Sequence, residues 1–326
     1  MSGRRDATGR FSDRRSPRMV VLSAGDPRTG GLASWILGQQ RPGRGGAGLD
    51  TIRQLALPHD ELLLVLGERD AGTEGAVLAH VPADGLAEVI GPRLLPGIDA
   101  GLGERLLERI VAELPGRWVR LMVAYLCPED GETQAWFAAQ RFRATRDLLV
   151  MSGEAWAASR PEPPVGWRLR PYSPIWQQTL VRVLVRTSLG AEDYPELDIW
   201  GDVGKRLTQL EQARGSGARL WSLVEWEGRV VGGLLLTDRA EAGHCELTYL
   251  GLIPPARGRG CGLWLVRHAL WQTRSWGRSR LVAGVDTANG PALATYARAG
   301  FVEIDRRRVV YRVPGASERR QGPLAD

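Results

Sequence analysis

Between Pro254 and Leu270 the chain reads PPARGRGCGLWLVRHAL, and six of these residues, Arg257, Gly258, Arg259, Gly260, Cys261 and Gly262, have types and spacing suited to holding an anion. Glycines let successive backbone N–H groups converge, and a helix beginning at the end of the loop adds the partial positive charge of its N-terminus. A pyrophosphate, and so a nucleotide-derived ligand, is the guest this pattern predicts. Arg257 and Arg259 can add charge-assisted contacts. The competing reading is a surface arginine/glycine turn; the strand before the loop and the amphipathic run after it favour the cradle. Cys261 has a position that can lower a thiol pKa, but its place inside the loop reads as a filler side chain.

A second pattern lies downstream in DTANGPALATYARAGF, where Asn289, Tyr296, Gly300 and Phe301 fall at fixed intervals. The two motifs together resemble the GCN5-related N-acetyltransferase (GNAT) superfamily. Its acetyl-CoA signature is Arg/Gln-x-x-Gly-x-Gly/Ala after the fourth strand, and its second motif is Asn-x-x-Ala followed by Tyr-x-x-x-Gly-Phe. The resemblance implies acetyl-CoA as co-substrate, no metal, and transfer of the acetyl group to a primary amine by direct attack on the thioester. It further implies that Arg257 to Gly262 hold the pyrophosphate through backbone amides. Leu252 would offer backbone groups to the pantetheine arm and its N–H to the thioester carbonyl, Asn289 would contact the cofactor arm, and Tyr296 would protonate the departing thiolate.

The attacking amine has a pKa of about 10 and must be neutral to act, so a base is needed beside the acid. Glu246 is the candidate, six residues before Leu252 and on the strand parity of Thr248, Leu250 and Leu252. That spacing is similar to the catalytic glutamate of the family's histone acetyltransferases. Each assignment has a plainer counterpart. Tyr296 could pack its ring against the sheet, and Glu246 could sit on a solvated strand face. His244 and His268 read as ordinary solvent-facing histidines, and Glu192, Asp193, Glu196 and Asp198 as helix-start chemistry with Asp193 as the cap. The alternative for these four carboxylates is attraction of a cationic amine.

The elements that must position these residues read as a mixed α/β (α+β) chain. From residue 166 onward the order is β, α, α, β, β, β, α, β, α, β, with a strand pair turning at Glu227-Gly228, a helix over 263–276, a strand at RLVAGVD and a helix over 291–299. The first part of the chain repeats the latter half of this order. A constant separation of 159 carries Gly260 and Gly262 onto Gly101 and Gly103, Tyr296 onto Phe137 and Phe301 onto Phe142, which argues for internal duplication. The shared glycines predict a common turn in both halves. Ile98 stands where Arg257 does, Phe137 has no proton to give, and Arg141 replaces the glycine before Phe142, so the first copy is degenerate.

The expected organisation is a disordered basic tail (1–18), a degenerate GNAT-like domain (19–151), a Pro-rich linker (152–165), a catalytic GNAT domain (166–314) and a flexible C-terminal tail (315–326). Each domain is expected to be a mostly antiparallel sheet flanked by helices. The tandem form is similar to that of mycothiol synthase-like two-domain acetyltransferases, and shared form does not transfer substrate.

A net charge of +6 suggests nucleic acid until it is located: the first eighteen residues hold six arginines against Asp6 and Asp13, so the body is nearly neutral. Only Lys205 breaks an otherwise all-arginine basic set, a skew that reflects coding composition as much as chemistry. Cys127, Cys245 and Cys261 are far apart with no C-x-x-C spacing, which excludes a cysteine-rich zinc site and fits a reducing cytoplasm. No apolar run approaches the roughly 20 residues that span a bilayer. The expected partner is an amine acceptor, a small molecule or a protein amine, with no membrane partner. The competing functions are a non-catalytic acyl-CoA sensor or scaffold and, through the N-terminal tail, a nucleic-acid binder; oligomeric state stays open.

Overall fold

A computed structural model describes residues 17–22, 26–37, 61–69, 72–82, 85–114, 119–194, 202–212 and 217–314. Apart from Pro17 and Arg18, the expected tails lie outside these residues, as do Glu196 and Asp198. Twelve strands form one sheet: β1 (Arg18–Leu22), β2 (Leu62–Arg69), β3 (Gly72–His80), β4 (Leu86–Leu94), β5 (Leu121–Leu126), β6 (Arg143–Glu154), β7 (Trp167–Pro171), β8 (Trp221–Trp226), β9 (Arg229–Arg239), β10 (His244–Leu252), β11 (Arg280–Asp286) and β12 (Val302–Arg312). The helices described are α1 (Thr29–Leu37), α2 (Gly101–Glu113), α3 (Gly131–Ala139), α4 (Gln177–Thr187), α5 (Val203–Gln212), α6 (Cys261–Ser275) and α7 (Gly290–Arg298).

Local chemistry explains most of these elements. Asp130 caps α3 through Thr133 N–H, and Asn289 caps α7 through Ala292 N–H, the same device at equivalent positions of the two copies. On α4, Leu180, Val183, Leu184 and Thr187 are buried at helical spacing, against β9. The expected β8–β9 turn forms at Glu227 and Gly228, both with positive φ. The helix expected over 263–276 begins two residues earlier, so that Cys261 is its first residue.

The strand order is β1-β2-β3-β4-β5-β12-β6-β11-β10-β9-β8-β7. The last strand of each copy is therefore exchanged: β12 pairs with β5, and β6 pairs with β11. The registers follow the repeat. Val285 opposite Leu149 becomes, on shifting each by 159, Leu126 opposite Arg308, and both pairs are observed. Arg307 opposite Leu148 maps onto itself, so a pseudo-twofold axis runs between β6 and β12. One apolar core gathers α4, α6, α7 and strands β7 to β11, and another gathers α2, α3 and strands β2 to β5. Among the described residues no helix is long and apolar enough to cross a membrane.

Candidate active site

β10 and β11 run parallel for three residue pairs only, His244 to Glu246 against Arg280 to Val282, and then part. The wedge they leave exposes one backbone edge of β10. Ile253 N–H donates to Val231 O at 2.9 Å, which sets the phase of the β9–β10 ladder. Because outward and inward groups alternate in an antiparallel pair, Leu250 and Leu252 turn their N–H and C=O into the wedge. The Leu252 carbonyl is already taken by Arg257 Nε at 2.9 Å, and its N–H faces the opening.

The glycine loop closes the wide end of the wedge. Gly258 (φ 70°) and Gly260 (φ 77°) adopt left-handed backbone that other residues resist, and a Cβ at either would meet nothing within 4 Å. Gly260 is the N-cap of α6, so the first-turn amides have no acceptor four residues back. This geometry fits a phosphate held by backbone. A cavity of about 700 Å³ adjoins Gly260, walled by Trp264 and Arg267 on α6 and by the 157–162 segment, which leaves room for a nucleotide-sized group.

The two arginines take different roles from those expected. Arg257 spends its guanidinium on carbonyls, Leu252 O, Gly190 O at 2.8 Å and Thr187 O at 2.6 Å, so it ties the loop to the end of α4. Arg259 donates to Pro255 O and stacks over the Trp226 ring at 4.2 Å. Burial pushes the Cys261 thiol up to about 11, against any lowering by the helix N-terminus, in keeping with a filler.

Tyr296 projects from α7 and is 7% exposed, its ring 5.2 Å from that of Phe301. Burial first, then the nearby Asp193 carboxyl, pushes its hydroxyl above the ordinary phenol value, so the proton stays on at any physiological pH. The helix start that Asp193 was expected to cap lies outside the described residues; the described start of α5 is capped by Asp202, and the Asp193 side chain bonds that of Asn289. Burial raises the Asp193 pKa, with Asn289 opposing it. Asn289 thus uses its oxygen to cap α7 and its amide to hold Asp193.

Asp286, the last residue of β11, was not anticipated as part of this site. It is fully buried and accepts from Tyr194 N–H and Ala288 N–H, both at 2.9 Å, and from Arg146. An aspartate closing the apolar run RLVAGVD is a signal the sequence carries, but its partner lies 140 residues away.

Glu246 pairs with Arg239, at 2.7 Å to Nη2. The parity expected for it breaks at a bulge: Leu247 faces Leu236 and Tyr249 faces Leu235, leaving Thr248 extra. Glu246 therefore shares a face with Tyr249 and Gly251, not with Leu250 and Leu252. That face carries α4, since Tyr249 bonds the Thr187 hydroxyl and a Cβ on Gly233, opposite Gly251, would touch Leu180 and Leu184. The histidines differ from expectation too: His244 is 3% exposed, and His268 is half-buried between Trp264 and Trp271, where burial pushes it down to about 4.

The equivalent loop in the first copy is built otherwise. Gly101 is the first residue of α2 after an N-cap, Ala100, in right-handed helical backbone, so the common turn expected from the glycines is absent. Leu102 N–H returns to Asp99 O and Gly103 N–H to Ala100 O, at 3.0 and 2.9 Å. A Cβ on Gly101 would meet the Asp99 carboxylate at 3.0 Å, which places a negative charge over the helix start. Arg141 holds the left-handed backbone (φ 65°) that Gly300 holds (φ 85°) in the second copy.

Residues 186–301 match the profile of the Acetyltransferase (GNAT) family. The chain is 32% identical over 101 residues to the uncharacterized N-acetyltransferase YjgM of Escherichia coli, covering 30% of this chain and 60% of that protein. It is 27% identical over 187 residues to mycothiol acetyltransferase of Corynebacterium glutamicum (strain R), covering 55% of this chain and 62% of the relative. The chain thus spans less than two thirds of both relatives. Among solved structures, a GCN5-related N-acetyltransferase from Sphaerobacter thermophilus superposes with a TM-score of 0.62 at 18% identity, over 90% of this chain and 95% of that one. A tandem GNAT protein from the clavulanic acid biosynthesis pathway gives 0.59 at 17% identity, over 92% and 99%. These likenesses extend the shared fold over both copies.

Proposed function

We propose, from the match of residues 186–301 to the Acetyltransferase (GNAT) family, that this chain is an acetyl-CoA-dependent N-acetyltransferase whose active site is the wedge of the C-terminal copy. The observation that supports the reading is the pairing of two devices in the C-terminal copy. The left-handed Gly258 and Gly260 lead into the first-turn amides of α6, and the Tyr296 hydroxyl, kept protonated by burial, lies within electrostatic reach of Asp193.

Acetyl-CoA supplies the activated acetyl group. Gly258 to Gly262 hold its pyrophosphate through backbone N–H groups. Leu252, by its wedge-facing N–H, takes the thioester carbonyl. Arg257 shapes the loop from behind, and Arg259 is placed to hold the turn against Trp226. Tyr296 gives its proton to the departing thiolate. Glu246, paired with Arg239 at the last closed β10–β11 pair before the wedge, is the base and takes the amine proton through intervening water. Asn289 and Asp193 form the acceptor side, where a carboxylate favours a cationic primary amine. The acceptor class is a small amine or a protein amine.

The test is release of CoA thiol from acetyl-CoA by the full chain across a panel of primary amines, comprising polyamines, amino sugars and lysine peptides. Amine-dependent release by the wild type, lost in Tyr296→Phe, supports the assignment. Tight acetyl-CoA binding with no release for any panel member would sink it and leave the sensor reading.

A further inference from the structure

The strand exchange puts a residue of the N-terminal copy inside the C-terminal site. Arg146 lies on β6, which takes the place beside β11 that β12 would fill if each copy kept its own last strand. Its Nε lies 3.0 and 2.9 Å from the two oxygens of Asp286 and its Nη2 2.9 Å from Oδ2, a forked contact to a carboxylate with 0% exposure. Asp286 in turn binds the two segments that frame the acceptor side. Its Oδ2 accepts from Tyr194 N–H, at the end of the 187–194 segment, and its Oδ1 from Ala288 N–H, in the turn that opens α7. Its own N–H lies 3.4 Å from Asp193 Oδ1, and its carbonyl accepts from Asn289 N–H at 2.9 Å. The Arg146 guanidinium also lies 5.9 Å from the Tyr194 ring centre.

The pseudo-twofold axis offers an internal control. A fold that needed an ion pair at this point to secure the exchanged strand would carry one on both sides of the axis. The positions related to Asp286 and Arg146 by 159 are Cys127 and Asp305. Asp305 pairs along its own strand with Arg307, and Cys127 bonds Glu129. The Arg146–Asp286 pair is thus built only where the glycine cradle and Tyr296 are intact.

We propose that Arg146 is a positioning residue for acetyl transfer. It holds and orients the Asp286 carboxylate, and Asp286 latches the 187–194 segment and the start of α7, so the acceptor side of the wedge is set by the otherwise degenerate copy. This rests on the wedge being the transfer site proposed above. The cofactor side, formed by β10 and the start of α6, is touched by neither residue in these contacts.

The experiment compares the full-length wild type with Arg146→Gln, Arg146→Lys and the double variant Arg146→Gln/Asp286→Asn, which removes both charges. Hydrogen exchange followed by mass spectrometry reads the peptides covering 187–194, 286–296 and 261–275. Arg146→Gln is expected to speed exchange in the first two by about tenfold or more, with 261–275 unchanged and partial rescue by Lys. Calorimetry with acetyl-CoA should stay within about threefold of wild type, while CoA release with the best panel amine drops by about tenfold or more, mostly through the amine KM.

Exchange in 187–194 within twofold of wild type overturns the latch. So does equal loosening of all peptides, which marks a general stability effect, or a drop in acetyl-CoA affinity matching the drop in turnover. If Arg146→Gln does not fold, the double variant decides, because it leaves no unpaired buried charge. A wild type that binds acetyl-CoA and releases no thiol refutes the transfer reading, and the exchange data alone then decide the latch.

Discussion

Gly260 is where a single substitution separates backbone from charge. It holds φ 77° as N-cap of α6, with open space where a Cβ would be, so Gly260→Ala adds no clash. It adds only left-handed strain, about 1 kcal/mol, borne by the free and bound protein alike. Affinity for acetyl-CoA should therefore stay within about threefold while stability falls slightly. Gly260→Asp carries the same strain and adds a carboxylate beside the first-turn amides. Two like unit charges about 5 Å apart repel by about 1–3 kcal/mol between fully aqueous and protein-surface screening, or roughly 5- to 150-fold in affinity. Titration calorimetry with acetyl-CoA at about 0.05 M and 0.5 M salt reads both variants, and salt should shrink the Asp effect and leave the Ala effect alone. Asp binding as tightly as wild type at low salt would falsify the anion cradle. Ala weakening binding as much as Asp would show that strain, not charge, governs the loop.

Three further outcomes follow from the same geometry. Tyr296→Phe keeps the ring against Phe301 and loses only the hydroxyl, so kcat should fall about 10²- to 10⁴-fold with acetyl-CoA affinity nearly unchanged; full activity would remove the acid assignment. Calorimetry should find one acetyl-CoA per chain, since in the first copy the amides of Leu102 and Gly103 are spent on carbonyls and Asp99 overlies the helix start; two sites would contradict this. His268 is held near pKa 4 in the fold against about 6.5 when unfolded, so the unfolded chain takes up its proton first as pH falls. Its contribution to stability is complete above about pH 6.5 and lost on descending toward pH 4, about 2 kcal/mol once solvent screening is allowed for. Urea midpoints measured between pH 7 and 4.5 should decline more steeply for wild type than for His268→Gln, and parallel curves would refute the assignment.

The two motifs were legible because their chemistry is local. The left-handed turn before α6 needs glycine at alternate positions, and Asn289 caps the short helix that carries Tyr296, so spacing along the chain carries the geometry. The strands and helices of the second copy were equally legible from periodicity and turn residues. The repeat of 159 residues also survives into the paired registers on both sides of the pseudo-twofold axis. What spacing could not carry was any choice made between distant segments. A strand pattern states which face is apolar but not which edge it joins, so the exchange of β6 and β12 has no local mark. The bulge at Thr248 reverses a parity that alternation alone predicts, because it depends on the partner strand. Arg257 reads as a ligand contact until the carbonyls of Thr187 and Gly190 come within reach of it. The sequence by itself determined the glycine turn before α6, the place of Asn289 and Tyr296 on α7 and the duplication, all set by neighbours in the chain. Only the tertiary structure decided that Arg146 meets Asp286 and that Asp193 turns to Asn289, because buried charges are partnered by whatever the fold brings to them.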